Sequence, residues 1–150
     1  MSEPRYWDDY KVGQKFALGS TSFTEQEIVD FARQFDPQPF HIDPAAARQS
    51  IYGGIIASGW HVASKMMRLF VDNYVDRRTA LGSPGLDELR WLKPVRAGDT
   101  LTGWVVCGAK VPSKSRPSMG IIHEHWEVTN QKGELVMTTK GINMVQRRPT

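Results

Sequence analysis

The feature that most constrains the fold is a long apolar segment followed by strand-like runs. From Gly59 to Tyr74 the apolar residues cover more than one side of a helix, a pattern typical of a largely buried helix. Four runs with strand composition follow, and turn residues separate them. The predicted strands are residues 85–91, 100–109, 119–130 and 135–146. A long apolar helix before an antiparallel meander predicts an α+β fold in which the sheet wraps around that helix.

A shorter helix is predicted before this segment. Thr24 and Glu27 fit a capping box, in which the side chain of each residue bonds to the backbone N–H of the other. Apolar residues then recur at the spacing of one helical face, at Ile28, Phe31, Ala32 and Phe35. We therefore expect a strand over residues 16–23, a helix over 24–35, and a further short helix that starts at Asp43-Pro44.

The segment from Phe35 to His41 carries the strongest functional signal. It sets Asp36 and His41 five positions apart, with Pro37 and Pro39 between them. Each proline fixes its own φ and biases the preceding residue away from the α region, so we predict a stiff, extended connection. Such a bend would bring a carboxylate and an imidazole to one water molecule, as general acid–base catalysis requires. The structural alternative is a Pro-rich turn with an unrelated surface Asp and His.

Residues 36–41 resemble the hydratase signature of the MaoC-like dehydratases, the R-specific enoyl-CoA hydratases, which reads Asp-x-Asn-Pro-x-His. Two further stretches are similar to that family. Residues 54–60, Gly-Ile-Ile-Ala-Ser-Gly-Trp, match the segment that leads into the family's central helix, and residues 92–101 match its strand–turn–strand stretch. The resemblance runs over most of the chain, from about residue 12 to about residue 147.

Three positions near the signature differ from the family or stand out by size. Gln38 stands where the family usually has Asn, and Ser58 stands where a His often precedes the glycine; Trp60 then adds a bulky ring. Because the signature Asp and His are retained, these differences bear on substrate shape more than on reaction type. We expect all three residues to contact the substrate.

The resemblance implies a single hotdog domain over residues 1–150 and an enzyme that hydrates trans-2-enoyl-CoA to R-3-hydroxyacyl-CoA, or catalyses the reverse dehydration. Asp36 and His41 would activate water, with His41 as base and Asp36 as orienting or relaying group. The backbone N–H of Gly59, at the start of the central helix, would donate to the thioester oxygen. Coenzyme A is part of the substrate, so no separate cofactor is expected.

Binding surfaces for the substrate and for a partner subunit are also implied. Hotdog domains usually pair into dimers with a continuous sheet, so we expect a homodimer or a higher homo-oligomer. Lys114 and Arg116, in the basic loop 110–117, are candidates for contact with the phosphates of coenzyme A; the alternative is a solvated loop. Candidates for shaping an acyl-chain site are Trp60, Met66, Met67 and Phe70.

Two other functions share the fold. A hotdog thioesterase would bind the same ligand and hydrolyse its thioester, but residues 59–70 contain no acidic residue to serve as the usual base. A non-catalytic acyl-CoA-binding module would bind without turnover, and the Asp/His pair argues against it. Release of free thiol separates the first alternative from hydration, and binding without turnover identifies the second.

Composition narrows the partners and the compartment. The formal net charge is +3, from 19 basic and 16 acidic residues, and no basic stripe is long enough for duplex DNA. The one cysteine, Cys107, cannot form an internal disulfide, which fits a reducing cytoplasm. No apolar stretch is long enough to span a bilayer, and residues 1–9 lack the apolar core of a signal peptide. We expect a cytoplasmic protein without nucleic-acid or membrane partners.

Histidines outside the signature are predicted to be structural or exposed. His123, His125 and Glu127 alternate along a predicted strand and therefore share one face. These residue types bind metals, but an ordinary amphipathic strand gives the same pattern. We predict that the three face solvent or a dimer neighbour and bind no metal. His61, near the start of the central helix, is predicted to be a hydrogen-bonded structural residue.

Overall fold

The computed structural model describes residues 2–150, which form one antiparallel sheet and four α-helices. The strands are β1 (Lys15–Ser22), β2 (Ala80–Trp91), β3 (Thr100–Pro112), β4 (Met119–Thr129) and β5 (Leu135–Gln146). The helices are α1 (Glu25–Phe35), α2 (Pro39–Ile42), α3 (Pro44–Gln49) and α4 (Gly59–Asn73), with a 3₁₀ turn at Trp7–Asp9. The sheet order is β1-β3-β4-β5-β2, so β2 lies at one edge and pairs with β5 alone among the described strands.

Helix α4 packs against the sheet through one face. That face buries His61, Val62, Met66 and Phe70. A Cβ atom at Gly103 of β3 would lie 2.4 Å from the end of Met66, so the absence of a side chain there lets the helix approach the sheet closely. The α+β architecture predicted from the sequence, a sheet with a long central helix, is confirmed.

The predicted helix starts are confirmed at atomic detail. Thr24 Oγ1 accepts from the backbone N–H of Glu27 at 3.1 Å, and the backbone N–H of Thr24 donates to Glu27 Oε1 at 3.3 Å. Asp43 caps α3 by accepting from the backbone N–H groups of Ala45 and Ala46. These caps fix where α1 and α3 begin, and α1 in turn delivers Asp36 as the residue after its last turn.

Two predictions about local structure were wrong. The connection from Asp36 to His41 is not extended throughout, because Pro39–Ile42 forms one helical turn; a proline is well suited to the first position of a helix, where its missing N–H is not needed. Strand β2 begins five residues earlier than predicted, at Ala80. Its first half contains register shifts and two glycines with positive φ, Gly82 and Gly85. Because glycines are typical of turns, the sequence here predicts a turn and not a strand.

The central helix is less enclosed in one chain than predicted. Trp60 and Met67 are exposed, and almost the whole of β2 is exposed or half-buried. Of the apolar residues outside the buried face of α4, Trp60 and Met67 therefore lie open in a single chain, whereas Ala63 and Leu69 pack partly against the core. Within residues 2–150, no helix combines the length and the apolar composition that crossing a bilayer requires.

Candidate active site

The side chains of Asp36 and His41 meet at the junction of α1 and α2. His41 Nε2 lies 3.2 Å from Asp36 Oδ2. Backbone bonds brace the bend between them: the N–H of Gln38 donates to the carbonyl of Asp36 at 2.8 Å, and the N–H of His41 donates to the carbonyl of Gln38 at 2.9 Å. The two acid–base groups are thus held in contact by a short, internally bonded segment.

The other nitrogen of His41 fixes the state of the imidazole ring. His41 Nδ1 lies 2.7 Å from the carbonyl oxygen of Ile56. A carbonyl only accepts, so Nδ1 carries the hydrogen and donates it. Nε2 is then the nitrogen that gains or loses a proton, and it faces Asp36. The ring is buried, so the arrangement can exchange one proton between imidazole and carboxylate with little freedom to reorient.

Two neighbours keep the Asp36 carboxylate ionised. Gln38 Nε2 donates to Oδ1 at 2.6 Å, and Ser58 Oγ donates to Oδ2 at 2.7 Å. Burial alone would raise the pKa of Asp36, but these hydrogen bonds, together with the charge and hydrogen bond of His41, outweigh it and lower the pKa below its usual value. Near neutral pH Asp36 is therefore ionised, and its Oδ2 lies beside Nε2 of His41.

The start of α4 offers backbone N–H groups to the same region. Ser58 occupies the N-cap position, yet its hydroxyl donates to Asp36 and makes no cap bond to the helix. The first N–H groups of a helix have no partner inside the helix, and that of Gly59 is the first in α4. These groups and the helix dipole favour negative charge at this end.

A cavity of about 360 Å³ opens between these elements. His41, Gln38 and Gly59 form part of its wall, and Phe40, Val62 and Trp91 add apolar surface. Lys93 also lines it, and its amino group pairs with Glu134. An apolar cavity with a few polar groups at one end is the usual form of a small-molecule site.

Packing within the chain explains why position 59 is a glycine. A Cβ atom there would lie 2.4 Å from the indole ring of Trp91, so the glycine makes room for a protein side chain and not only for a ligand. Trp60 packs edge-on against Trp91, with ring centroids 5.3 Å apart. It is 59% exposed and does not line the cavity.

The predicted phosphate-contact residues lie elsewhere in this chain. Lys114 and Arg116 belong to the hairpin loop between β3 and β4, and neither lines the cavity. The neighbouring strand end packs on Trp7, whose ring fills the space beside Gly120 and whose indole N–H donates to the carbonyl of Ile121. Within one chain, the structure does not bring the basic loop to the Asp36–His41 pair.

The remaining histidines behave differently from one another. His123, His125 and Glu127 lie on the more exposed face of β4, as predicted from its alternation. His61 is buried and stacks on Phe31, with ring centroids 4.7 Å apart, but its Nδ1 has no hydrogen-bond partner among residues 2–150. The prediction of a hydrogen-bonded His61 was therefore wrong; burial lowers its pKa and favours the neutral ring.

One acidic residue of interest was missed at the sequence level. Glu124 is 3% exposed and accepts a hydrogen bond from the side-chain amide of Asn143. Burial raises the pKa of its carboxyl to about 7. The alternation of β4 could have identified it, because the alternation places Glu124 between Ile122 and Trp126 on the core face. A buried acid in such a position is unusual and is often functional.

Comparisons with known proteins agree with this geometry. The sequence profile described as MaoC like domain matches residues 9–129. The (R)-specific enoyl-CoA hydratase of Rhodospirillum rubrum is 32% identical over 73% of this chain and 74% of its own length. The crystal structure of a MaoC-like dehydratase from the same organism superposes with a TM-score of 0.89 at 39% identity, covering 97% of this chain and 99% of that one.

A more distant structure bears on the fold. The (R)-hydratase from A. caviae involved in PHA biosynthesis superposes with a TM-score of 0.67 at 26% identity, over 93% of this chain and 98% of that one. Together with the sheet topology, these structures confirm the predicted hotdog fold. Since the profile covers most of the sequence and the fold agrees over nearly its whole length, this chain belongs to the MaoC-like dehydratase family.

Proposed function

We propose that this protein catalyses the R-specific hydration of trans-2-enoyl-CoA thioesters, or the reverse dehydration. The observation that carries the proposal is the 3.2 Å contact between His41 Nε2 and Asp36 Oδ2, made by a ring whose other nitrogen is already committed to the carbonyl of Ile56. An (R)-specific enoyl-CoA hydratase among the relatives supports the same reaction. Coenzyme A is part of this substrate, so the proposal includes no separate cofactor.

The pair supplies the proton transfers that the reaction needs. A water molecule held between His41 and Asp36 gives a proton to Nε2 while its oxygen bonds to the β-carbon of the thioester. The adjacent carboxylate stabilises the imidazolium that forms. A proton then returns from the pair to the α-carbon, so that one water is added across the double bond and both side chains regain their starting state. Dehydration follows the same steps in reverse.

The backbone N–H of Gly59 would stabilise the negative charge that develops on the thioester oxygen. The N-terminal end of α4 favours an anion, and the N–H of Gly59 is the first amide at that end. Loss of one such donor typically costs about 3–4 kcal/mol in the activation barrier. The apolar wall formed by Phe40, Val62 and Trp91 would exclude bulk water from the enolate.

The free edge of β2 favours a homodimer as the active form. An exposed strand edge with apolar side chains is a natural pairing surface, and a second copy paired there would extend the sheet. We propose this assembly for the present chain. Contact of Lys114 and Arg116 with the phosphates of coenzyme A remains a prediction that depends on how that assembly brings the basic loop to a substrate.

The test is hydration of a panel of trans-2-enoyl-CoAs that differ in chain length and branching, followed by the loss of absorbance of the conjugated thioester. Asp36→Asn and His41→Ala are each expected to lower kcat by a factor on the order of 100 or more. Asp30→Asn, on the exposed side of the same helix, is the matched control and should retain activity.

Several outcomes would contradict the proposal. Unchanged rates in Asp36→Asn or His41→Ala would remove that residue from the mechanism, and an S-configured product would exclude the stereochemistry. Release of free thiol without hydration would identify a thioesterase. Saturable binding across the whole panel without turnover would identify a binding module.

A further inference from the structure

A second cavity, of about 280 Å³, lies at the opposite end of α4 from Gly59. Tyr74, which lines it, follows the last turn of that helix, roughly 22 Å along the axis from Gly59. Its walls share no residue with the first cavity. Apolar side chains from four elements form most of the surface: Met67, Phe70, Leu86, Trp126, Ile142 and Val145.

Several buried polar side chains line this apolar cavity, and Tyr74, Thr139 and Glu124 are the ones that bear on a ligand. The hydroxyl of Thr139 has no hydrogen-bond partner among residues 2–150, although the residue is only 2% exposed. The hydroxyl of Tyr74, a residue that is 4% exposed, lies beside the carboxyl of Glu124. Glu124 lies in the same wall and receives a hydrogen bond from Asn143. Most buried hydroxyls in folded proteins are hydrogen-bonded, so the unpaired hydroxyl of Thr139, in the same wall as Tyr74 and Glu124, indicates a place where a ligand's polar group would bind.

The charged side chains around the cavity indicate which polar group a ligand could place there: a carboxylate, an ammonium or a neutral group. No Lys or Arg belongs to the wall in the described part of the chain, whereas Glu124 and Asp76 do. A ligand carboxylate would therefore face two acids and no cation. An ammonium would lose its hydration in an apolar space while Glu124 is only partly ionised near neutral pH, since burial raises its pKa to about 7.

A neutral hydroxyl matches the available groups. It can donate to Glu124 and accept from Tyr74 or from Thr139, whose hydroxyl has no other partner among residues 2–150. The hydroxyl of Tyr74 stays protonated and able to donate, because burial and the nearby Glu124 raise its pKa. An alkyl chain attached to that hydroxyl would lie along Met67 and Phe70.

We propose that this cavity binds an aliphatic chain that ends in a hydroxyl group, with the hydroxyl between Tyr74, Thr139 and Glu124. The same chemistry has two sources, a free alcohol or the acyl chain of a thioester that carries a terminal hydroxyl. The second source rests on the proposed hydratase function, since it requires that the acyl chain of a substrate reach this cavity in the assembled protein.

The test uses 1-hexanol as probe on the full chain, with binding followed by saturation-transfer NMR and by the fluorescence of Trp126, compared with a Trp126→Phe control. 1-Methoxypentane is the matched probe, since it has the same number of heavy atoms but no hydrogen to donate. We expect the alcohol to bind about tenfold tighter than the ether. Tyr74→Phe and Thr139→Val should each reduce that preference, whereas Asp36→Asn, at the junction of α1 and α2 away from this cavity, should leave it unchanged.

Equal affinity for alcohol and ether, tighter binding of hexanoate or hexylamine, or no effect of both hydroxyl deletions would overturn the proposal. If Tyr74→Phe fails to fold, Thr139→Val gives the same comparison alone. Competition distinguishes the sources: displacement of 1-hexanol by a trans-2-enoyl-CoA whose acyl chain ends in a hydroxyl supports the acyl chain, and simultaneous binding supports a free alcohol. Because the alcohol binds without turnover, a failure of the hydratase proposal would leave this measurement intact.

Discussion

Asp36 stays charged in a partly buried place because its neighbours donate to both of its oxygens. Gln38 donates a hydrogen bond to Oδ1, and Ser58 donates one to Oδ2, the oxygen that also contacts His41. Ser58 is the N-cap residue of α4 but turns its hydroxyl away from the helix. One serine therefore does two things: it lowers the pKa of the carboxyl and it leaves the first amides of α4 without a side-chain cap.

Replacement of that serine should shift the pH dependence of the reaction. In Ser58→Ala, Asp36 Oδ2 loses a donor, so the pKa of the coupled Asp36–His41 pair should rise. We expect the acid limb of the kcat/KM profile to move to higher pH by up to about one unit. Ser64→Ala, whose hydroxyl bonds only to the carbonyl of Trp60 on an exposed part of α4, is the control. An unshifted limb in Ser58→Ala would show that this hydrogen bond does not tune the pair.

Glu124 makes stability depend on pH in the direction opposite to that of most carboxyls. Its pKa is about 7 in the folded protein against an ordinary value of 4.5, so between these values the unfolded chain loses the proton and the folded protein keeps it. The free energy of unfolding therefore falls as pH rises through this window, by about 3 kcal/mol for this group. The stabilising contribution is fully present below pH 4.5 and is lost above about pH 7.

Glu124→Gln should remove that pH dependence while it keeps an acceptor for Asn143. We expect urea titrations at pH 5 and pH 8 to show a larger loss of stability for the wild-type protein than for the variant, with the two converging toward pH 5. Glu127→Gln, on the exposed face of the same strand, is the matched control and should behave like wild type. Parallel pH profiles for all three proteins would contradict the assignment.

At the scale of elements, the start of α4 depends on a strand that is distant in sequence. Trp91 ends β2, and its ring fills the space that a side chain at Gly59 would need. Gly59→Ala should therefore displace the ring, destabilise the fold and lower hydration activity. In Gly59→Ala/Trp91→Ala the clash is absent, so stability should recover relative to Gly59→Ala alone, whereas activity should stay low if Trp91 shapes the cavity. Thermal unfolding and enoyl-CoA kinetics on these three proteins measure both effects. Equal stability of wild type and Gly59→Ala would contradict the close contact.

Elements with local signals were predictable from the sequence, and those that depend on distant contacts were not. The capping box of α1 and the Asp43-Pro44 start of α3 are encoded within four residues, and the predicted bounds of β5 agree with the structure. The first half of β2 was missed because its glycines read as a turn while β5 pairs with it across long sequence separation. The one-turn helix α2 was missed because two nearby prolines predict an extended segment. Pro39 is nevertheless compatible with the first position of a helix.

The same distinction applies to the candidate site. Asp36 and His41 were found because they lie in one short segment. Other contacts join residues on different elements, and no local sequence pattern predicts them. They are the contacts of Trp91 with Gly59, of Ser58 with Asp36 and of Glu124 with Asn143. Lys114 and Arg116 were chosen for charge density alone, which does not locate a loop relative to a cavity.

At the scale of the whole molecule, the open edge of β2 predicts self-association. We expect the protein to be a dimer at micromolar concentration, and Leu81→Lys, which puts a charge on this exposed strand, to shift it toward monomer because burial of an unpaired charge is costly. Light scattering after gel filtration measures the state, and activity measured on the same fractions shows whether a monomer retains turnover. Ile51→Lys, on an exposed turn outside the sheet, is the control and should stay dimeric. A wild-type monomer, or an unchanged dimer in Leu81→Lys, would mean that β2 does not form the interface.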